Sequence, residues 1–149
     1  QLISNEVRAG KVKIVYKALE TASGTANNSM FVPSQVAALA AGKQNLGWNY
    51  IELFYHEQGD ETTSYVSNAY LEGLAEQIPG LNYSKWSSDR QSSALAAQVS
   101  QEEAAGEAVP DPQGVSTPTL VVSGPKGQAQ PIENAADYGT LQAAIKQVS

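Results

Sequence analysis

The amino-acid sequence predicts an α/β fold built as one domain over residues 1–149. Three observations carry that prediction. Residues 11–19 alternate as a strand does. Residues 29–109 hold a series of apolar stripes at helical spacing. Residues 114–149 combine two short strand-like runs around a Gly-Pro-Lys-Gly turn with a closing amphipathic helix. The order is helix end, strand, helical block, hairpin, helix, and no internal repeat is visible.

Residues 2–9 read as the last turns of a helix, with Arg8 in the final turn and Gly10 as the stop signal. A helix already under way at residue 1 leads to the expectation that its start lies outside these residues. In residues 11–19, Val12, Ile14, Tyr16 and Ala18 share one face, and Lys11, Lys13, Val15 and Lys17 share the other. Three lysines on one strand suit a sheet edge, where charge blocks unwanted pairing. Residues 23–29 are a polar loop.

The helical block opens with Val32, Val36, Leu39 and Ala40, then Trp48, Ile51 and Tyr55 with Leu53 and Phe54 widening the stripe. Residues 59–62 form a loop. Ser67 is placed to cap the next helix, with Val66 and Leu71 as a hydrophobic staple and Leu71, Leu74, Ala75 and Ile78 as the buried stripe. Pro79 and Gly80 end it. Asn82 repeats the capping device, with Leu81 and Trp86 as the staple. Residues 93–108 form an alanine-rich helix anchored by Leu95 and Val99.

Pro110, Pro112 and Gly114 break that helix. Residues 119–123 read as a short, nearly all-apolar, buried strand. Residues 124–127 are a turn, and residues 128–132 pair back. Asp137 is placed to cap a last helix whose face is Tyr138, Leu141, Ile145 and Val148.

Composition limits the chemistry. Apolar residues make up 42%, enough for a packed core. Nine basic against 15 acidic residues give a net charge of −6, which disfavours a polyanion such as nucleic acid. There are no cysteines, so no disulfide, thiolate metal site or cysteine nucleophile exists within these residues. One histidine, His56, is too few for a His-based metal site. No apolar run approaches the roughly 20 residues a membrane-spanning helix needs. With no initiating Met and no signal-peptide pattern, the sequence reads as a processed, trimmed or partly recorded chain.

Several segments together resemble the DsbA-like thiol-disulfide oxidoreductase family. Gly10-Lys11-Val12-Lys13-Ile14-Val15-Tyr16 resembles the strand after that family's first helix. Val36-Ala37-Ala38-Leu39-Ala40 and Trp48-Asn49-Tyr50-Ile51-Glu52-Leu53-Phe54-Tyr55 resemble its first inserted helices, and residues 71–86 its next stretch. Gly114-Val115-Ser116-Thr117-Pro118-Thr119-Leu120-Val121-Val122 resembles its Thr-Pro-Thr segment. The resemblance implies a thioredoxin-like fold with an inserted helical subdomain, its first strand and the start of its first helix missing here. Residues 1–19 would be the end of that helix and the edge strand, residues 29–109 the insertion and following helix, and residues 114–149 the cis-proline hairpin and last helix. Three features depart from the family pattern: the Cys-x-x-Cys segment is absent, the loop before Gly114 is long and carries two prolines, and Ser116 stands where many relatives have glycine.

The resemblance implies thiol-disulfide exchange on cysteine-containing exported proteins or peptides, in an extracytoplasmic bacterial setting and with a membrane anchor among the options. Such exchange needs a thiolate, and the family holds it at the helix start that these residues lack. This chain therefore supplies no catalytic nucleophile, and no cofactor or metal is expected. Ser116, Thr117 and Pro118 are the implied substrate contacts, with Thr117–Pro118 a candidate cis peptide bond; a plain strand start after a turn is the alternative. The missing strand would lie between residues 11–19 and 119–123. It would come from residues outside this sequence, a cleaved fragment or a swapped neighbour. Unpaired buried backbone groups cost about 1–3 kcal/mol each, so the chain alone is expected to be unstable. Two other functions stay open: a redox-inactive module that binds peptides or proteins, and a glutathione-using isomerase or transferase.

The remaining polar residues have simpler readings. His56 is a polar helix-face residue or a proton shuttle. Glu52, Glu57, Asp60 and Glu61 lack any ligand spacing such as an EF-hand loop. Glu102, Glu103 and Glu107 read as a solvated helix face, and Lys126 as an exposed turn charge. Trp48, Tyr50, Phe54 and Tyr55 read as core of the helical block, with a peptide groove as the alternative. Asn27 and Asn82 match the glycosylation triplet, a pattern that arises readily by chance.

Overall fold

The computed structural model describes residues 1–20, 30–60, 62–109, 117–133 and 137–149. The chain is a mixed α/β protein with predominantly helical structure and small antiparallel ladders. It divides into two compact units. One is assembled from Gln1–Leu19 and Ala105–Ser149, the other from the intervening Glu20–Ala104.

The intervening unit is helical. It contains α1 (Phe31–Gly42), α2 (Gly47–His56), α3 (Asn68–Glu76), α4 (Tyr83–Asp89) and most of α5 (Ser93–Glu107). Pro33 sits in the first turn of α1, where a missing N–H costs no helical bond. Ser67 caps α3 by accepting from the Tyr70 N–H at 3.1 Å, and Asn82 caps α4 by accepting from the Lys85 N–H at 2.9 Å. Both caps are those the sequence predicts. One apolar cluster joins the helices, with Val36, Ala37, Ala40 and Ala41 of α1 packed with Leu71, Leu74 and Ala75 of α3 and Trp86 of α4. The alanines let the helices approach closely.

Two buried polar groups pin this core. The Trp86 indole N–H donates to the Ala37 carbonyl at 2.9 Å, and the Tyr50 hydroxyl donates to the Leu71 carbonyl at 2.9 Å. Burial pushes the Tyr50 hydroxyl pKa well above its ordinary value. The stripe predicted on α2 is corrected here. Tyr50 is buried and Leu53 and Phe54 pack against the core, but Trp48 and Tyr55 are 50% and 58% exposed. Trp48 and Tyr55 are therefore not core residues. The α2 sequence carries two apolar stripes, and the one containing Tyr50 packs into the helical core.

The other unit begins with a wide π-type turn over Ile3–Val7, in which the Arg8 N–H donates to the Ile3 carbonyl at 2.9 Å. Gly10 stops it at φ +71°, a conformation that suits glycine. The predicted strand over residues 11–19 is not formed. A strand is defined by paired backbone, and none of the described residues pairs with this segment. Its alternation nevertheless survives: Val12 and Ile14 are half-buried and Ala18 buried, while Lys13, Val15 and Lys17 are exposed. Tyr16 departs from the pattern and lies at the exposed side.

The C-terminal part holds β1 (Thr119–Leu120), β2 (Ser123–Gly124), β3 (Gly127–Gln128), β4 (Ile132–Glu133) and α6 (Tyr138–Val148). β1 pairs antiparallel with β4, Thr119 opposite Glu133, and β2 pairs with β3, Ser123 opposite Gln128. The predicted turn is thus in place, with Pro125 and Lys126 at its tip. The run over residues 119–123 is two short strands, and it is not buried: Val121 is exposed and Leu120 and Val122 are only half-buried. Its apolar composition reflects β propensity and one covered side. Asp137 caps α6 by accepting from the Thr140 N–H at 3.1 Å. The predicted loops over residues 23–29 and 110–114 lie outside the described residues.

Candidate functional site

The segment that leads into β1 is the site the sequence singles out. The Thr117–Pro118 peptide bond is cis, as expected. Both residues are exposed and lie directly before Thr119, the first residue of β1. Ser116 lies outside the described residues.

The hairpin behind this segment is held by α6. Ala129, Ala144 and Val148 are buried together, with Val122 and Ile132 packed on them. The Lys126 N–H donates to the Val148 carbonyl at 3.0 Å, and the Ala129 N–H to the Val122 carbonyl at 2.9 Å. Gly124 permits this approach: a Cβ there would meet the Val148 carbonyl oxygen at 2.5 Å. Lys126 therefore anchors the turn through its backbone.

A second polar cluster in the same unit escaped the sequence reading. Glu6 is buried, and its carboxylate accepts from the Tyr138 hydroxyl at 2.7 Å. Lys11 Nζ stands 3.5 Å from the other carboxylate oxygen, and the Asn5 side-chain amide donates to the Tyr138 hydroxyl at 3.3 Å. The Tyr138 hydrogen bond, helped by Lys11, holds the Glu6 carboxyl below its ordinary range against the opposing effect of burial. Nothing in local sequence distinguishes Glu6 from a surface glutamate, because its partner Tyr138 lies 132 positions away. The cluster ties the N-terminal turn to the start of α6.

The other singled-out residues find local partners. His56 Nδ1 lies 3.0 Å from Glu57, and both are exposed. Asp60 accepts from the Thr62 backbone and hydroxyl at 2.8 and 2.7 Å, which holds its carboxyl low. Glu102 accepts from Gln98 at 2.9 Å. Asn82 has its side chain engaged in capping and its backbone bonded to Gln44. Among the described residues no group of three His, Cys, Asp or Glu side chains could hold a metal. No described helix is long and apolar enough to cross a membrane. No described residue is a cysteine, in keeping with the sequence.

The fold and site define the class only as a mixed α/β protein, in which the residues of a helical unit fall, in chain order, between the two segments of a unit with small antiparallel ladders. No family model, no curated protein and no solved structure matches the chain.

Proposed function

We propose that the chain is the cysteine-free part of a DsbA-like thiol-disulfide oxidoreductase acting on exported, cysteine-containing proteins outside the cytoplasm. The observation that carries this reading is the chain order of the two units. A helical unit, Glu20–Ala104, interrupts a unit that takes Gln1–Leu19 from one end of the chain and Ala105–Ser149 from the other. A thioredoxin-like fold with a helical insertion would divide in the same chain order, and this agreement supports the reading. The order of the alternating segment 11–19 before the interruption, and of the hairpin and α6 after it, also supports the reading.

On this reading the redox cysteines lie upstream of residue 1, and a strand from the same region pairs between residues 11–19 and β1. Thr117 and Pro118 then present the backbone that receives an extended substrate peptide, with Ser116 beside them. The absence of any cysteine in the sequence favours one competing reading, a redox-inactive module that binds peptides.

The coding sequence about 40 residues upstream of Gln1 separates the two, on the family pattern of a helix and preceding strand. A Cys-x-x-Cys there, together with insulin reduction by the complete domain, would support the oxidoreductase. Its absence would leave the binding module, and an intact Cys-x-x-Cys domain without turnover would refute the proposal.

A further inference from the structure

We propose that Glu6 and Tyr138 form an acid-released latch: protonation of Glu6 frees residues 1–11 from α6, while the hairpin and α6 stay folded. The turn is held by polar bonds more than by apolar contact. No residue of 1–12 belongs to either described apolar cluster, and Ile3 is half exposed. Glu6 is the one buried residue in Ile3–Val7. Its carboxylate takes the Tyr138 hydroxyl at 2.7 Å, and its main-chain carbonyl accepts from the Lys11 N–H at 2.9 Å. One residue thus sets both the contact with α6 and the exit of the chain from the turn.

The groups around Glu6 supply the trigger. Among the described residues, Lys11 after the turn and Lys146 on α6 both favour the carboxylate, and Asn5 donates to the Tyr138 hydroxyl. A hydroxyl–carboxylate bond is charge-assisted and stronger than its neutral counterpart. Protonation weakens that bond, removes the Lys11 ion pair and leaves two lysines, one from each element, without their counter-charge. Because the Tyr138 bond and Lys11 hold the carboxyl low, attachment is complete above the ordinary value of 4.5 and is lost as pH falls through the folded value. Asp137 adjoins Tyr138, but both its oxygens are engaged by Thr140 in the helix cap. The apolar cluster of Ala129, Ala144 and Val148 carries no titratable group, so acid leaves the seat of the hairpin on α6 intact. The inference stands apart from the redox proposal, since it uses neither Thr117 nor Pro118 nor any cysteine.

The test is amide hydrogen exchange by NMR on the full chain from about pH 7 to about pH 3, corrected for the intrinsic rates. The Arg8, Gly10, Lys11 and Val12 amides donate to carbonyls of the turn and report its state. Their protection should fall about tenfold in acid while that of α6 changes little. Glu6→Gln should show the lowered protection already at neutral pH, with unchanged helical circular dichroism and no further fall in acid. Tyr138→Phe should move the release to higher pH, and Asp137→Asn, which keeps the cap, should leave it in place. Protection of the turn that does not change with pH would overturn the proposal. So would loss of the turn, α6 and the helical unit in one step, or a Glu6→Gln chain that behaves as the parent does. Should Glu6→Gln fail to fold, an unmoved release in Tyr138→Phe overturns the proposal independently. An acid response abolished by Asp137→Asn would overturn it in favour of fraying at the α6 cap.

Discussion

Replacing Trp86 by phenylalanine tests the packing of the helical unit most directly. Trp86 is fully buried, and its ring lies 6.0 Å from Tyr50 and 5.5 Å from Tyr83, centroid to centroid. The Arg90 guanidinium sits 4.8 Å above it. Trp86→Phe keeps a ring in the site but deletes the N–H that reaches the Ala37 carbonyl. That hydrogen bond contributes about 0.5–1.5 kcal/mol, and the smaller ring leaves a void between α1 and α4. The combined loss is about 2–3 kcal/mol, against about 3–5 kcal/mol for Trp86→Ala. In urea titration of the full chain, a loss of that size lowers the midpoint by about 1 M or more. Fluorescence gives an independent check, because Trp48 is half exposed and becomes the sole tryptophan in Trp86→Phe. Its emission should lie at longer wavelength than that of the parent. A midpoint within about 0.2 M of the parent would refute the packing argument, since neither the bond nor the void would then carry free energy.

Gly124→Ala should destabilise the hairpin unit by about 1–3 kcal/mol in thermal unfolding, because the new methyl meets the Val148 carbonyl, backbone that cannot swing aside; an unchanged melting temperature would contradict the seating of β2 on α6. Asp137→Ala and Ser67→Ala each remove a helix cap and should cost about 1 kcal/mol, with Asp137→Asn nearly neutral in the same melts. The lowered Glu6 pKa contributes stability above the ordinary carboxylate value of 4.5, and that contribution is lost as pH falls from there through the folded value. Tyr138→Phe should move the Glu6 midpoint upward in a carboxyl NMR titration, and an unmoved midpoint would exclude the Tyr138 bond as the main cause.

What the sequence made legible depended on the range of the interaction. Helix caps were readable because Ser67, Asn82 and Asp137 each bond an N–H three residues on, so their evidence lies within one turn. The buried stripe of α3 was readable for the same reason. Strand 11–19 was not, because a strand needs a partner from elsewhere in the chain and alternation alone does not supply one. The buried state of Glu6 was likewise invisible, resting on Tyr138 from the far end of the sequence. Pro118 was legible as a candidate cis residue through resemblance to a family motif, since proline alone is a weak indicator of cis geometry.

α2 shows where periodicity runs out even within one helix. The stripe of Trp48, Ile51 and Tyr55 and the stripe of Tyr50, Leu53 and Phe54 both satisfy the helical repeat, and the first holds the larger ring. Hydrophobicity alone would bury Trp48. What places Tyr50 inside is its fit against α3 and α4: its ring stacks on Trp86, and its hydroxyl finds an acceptor in the Leu71 carbonyl. A buried aromatic with a polar tip needs such a partner, and only packing with α3 provides it. The choice between the faces is therefore made by α3 and α4, and no reading of residues 47–56 in isolation could have made it. Tyr50→Phe isolates this term, because it keeps the ring and removes the donor. It should cost about 1 kcal/mol in urea titration, with Trp48 remaining exposed to quenching by iodide. A variant in which Trp48 becomes shielded would show that the hydroxyl, more than the ring, orients the helix.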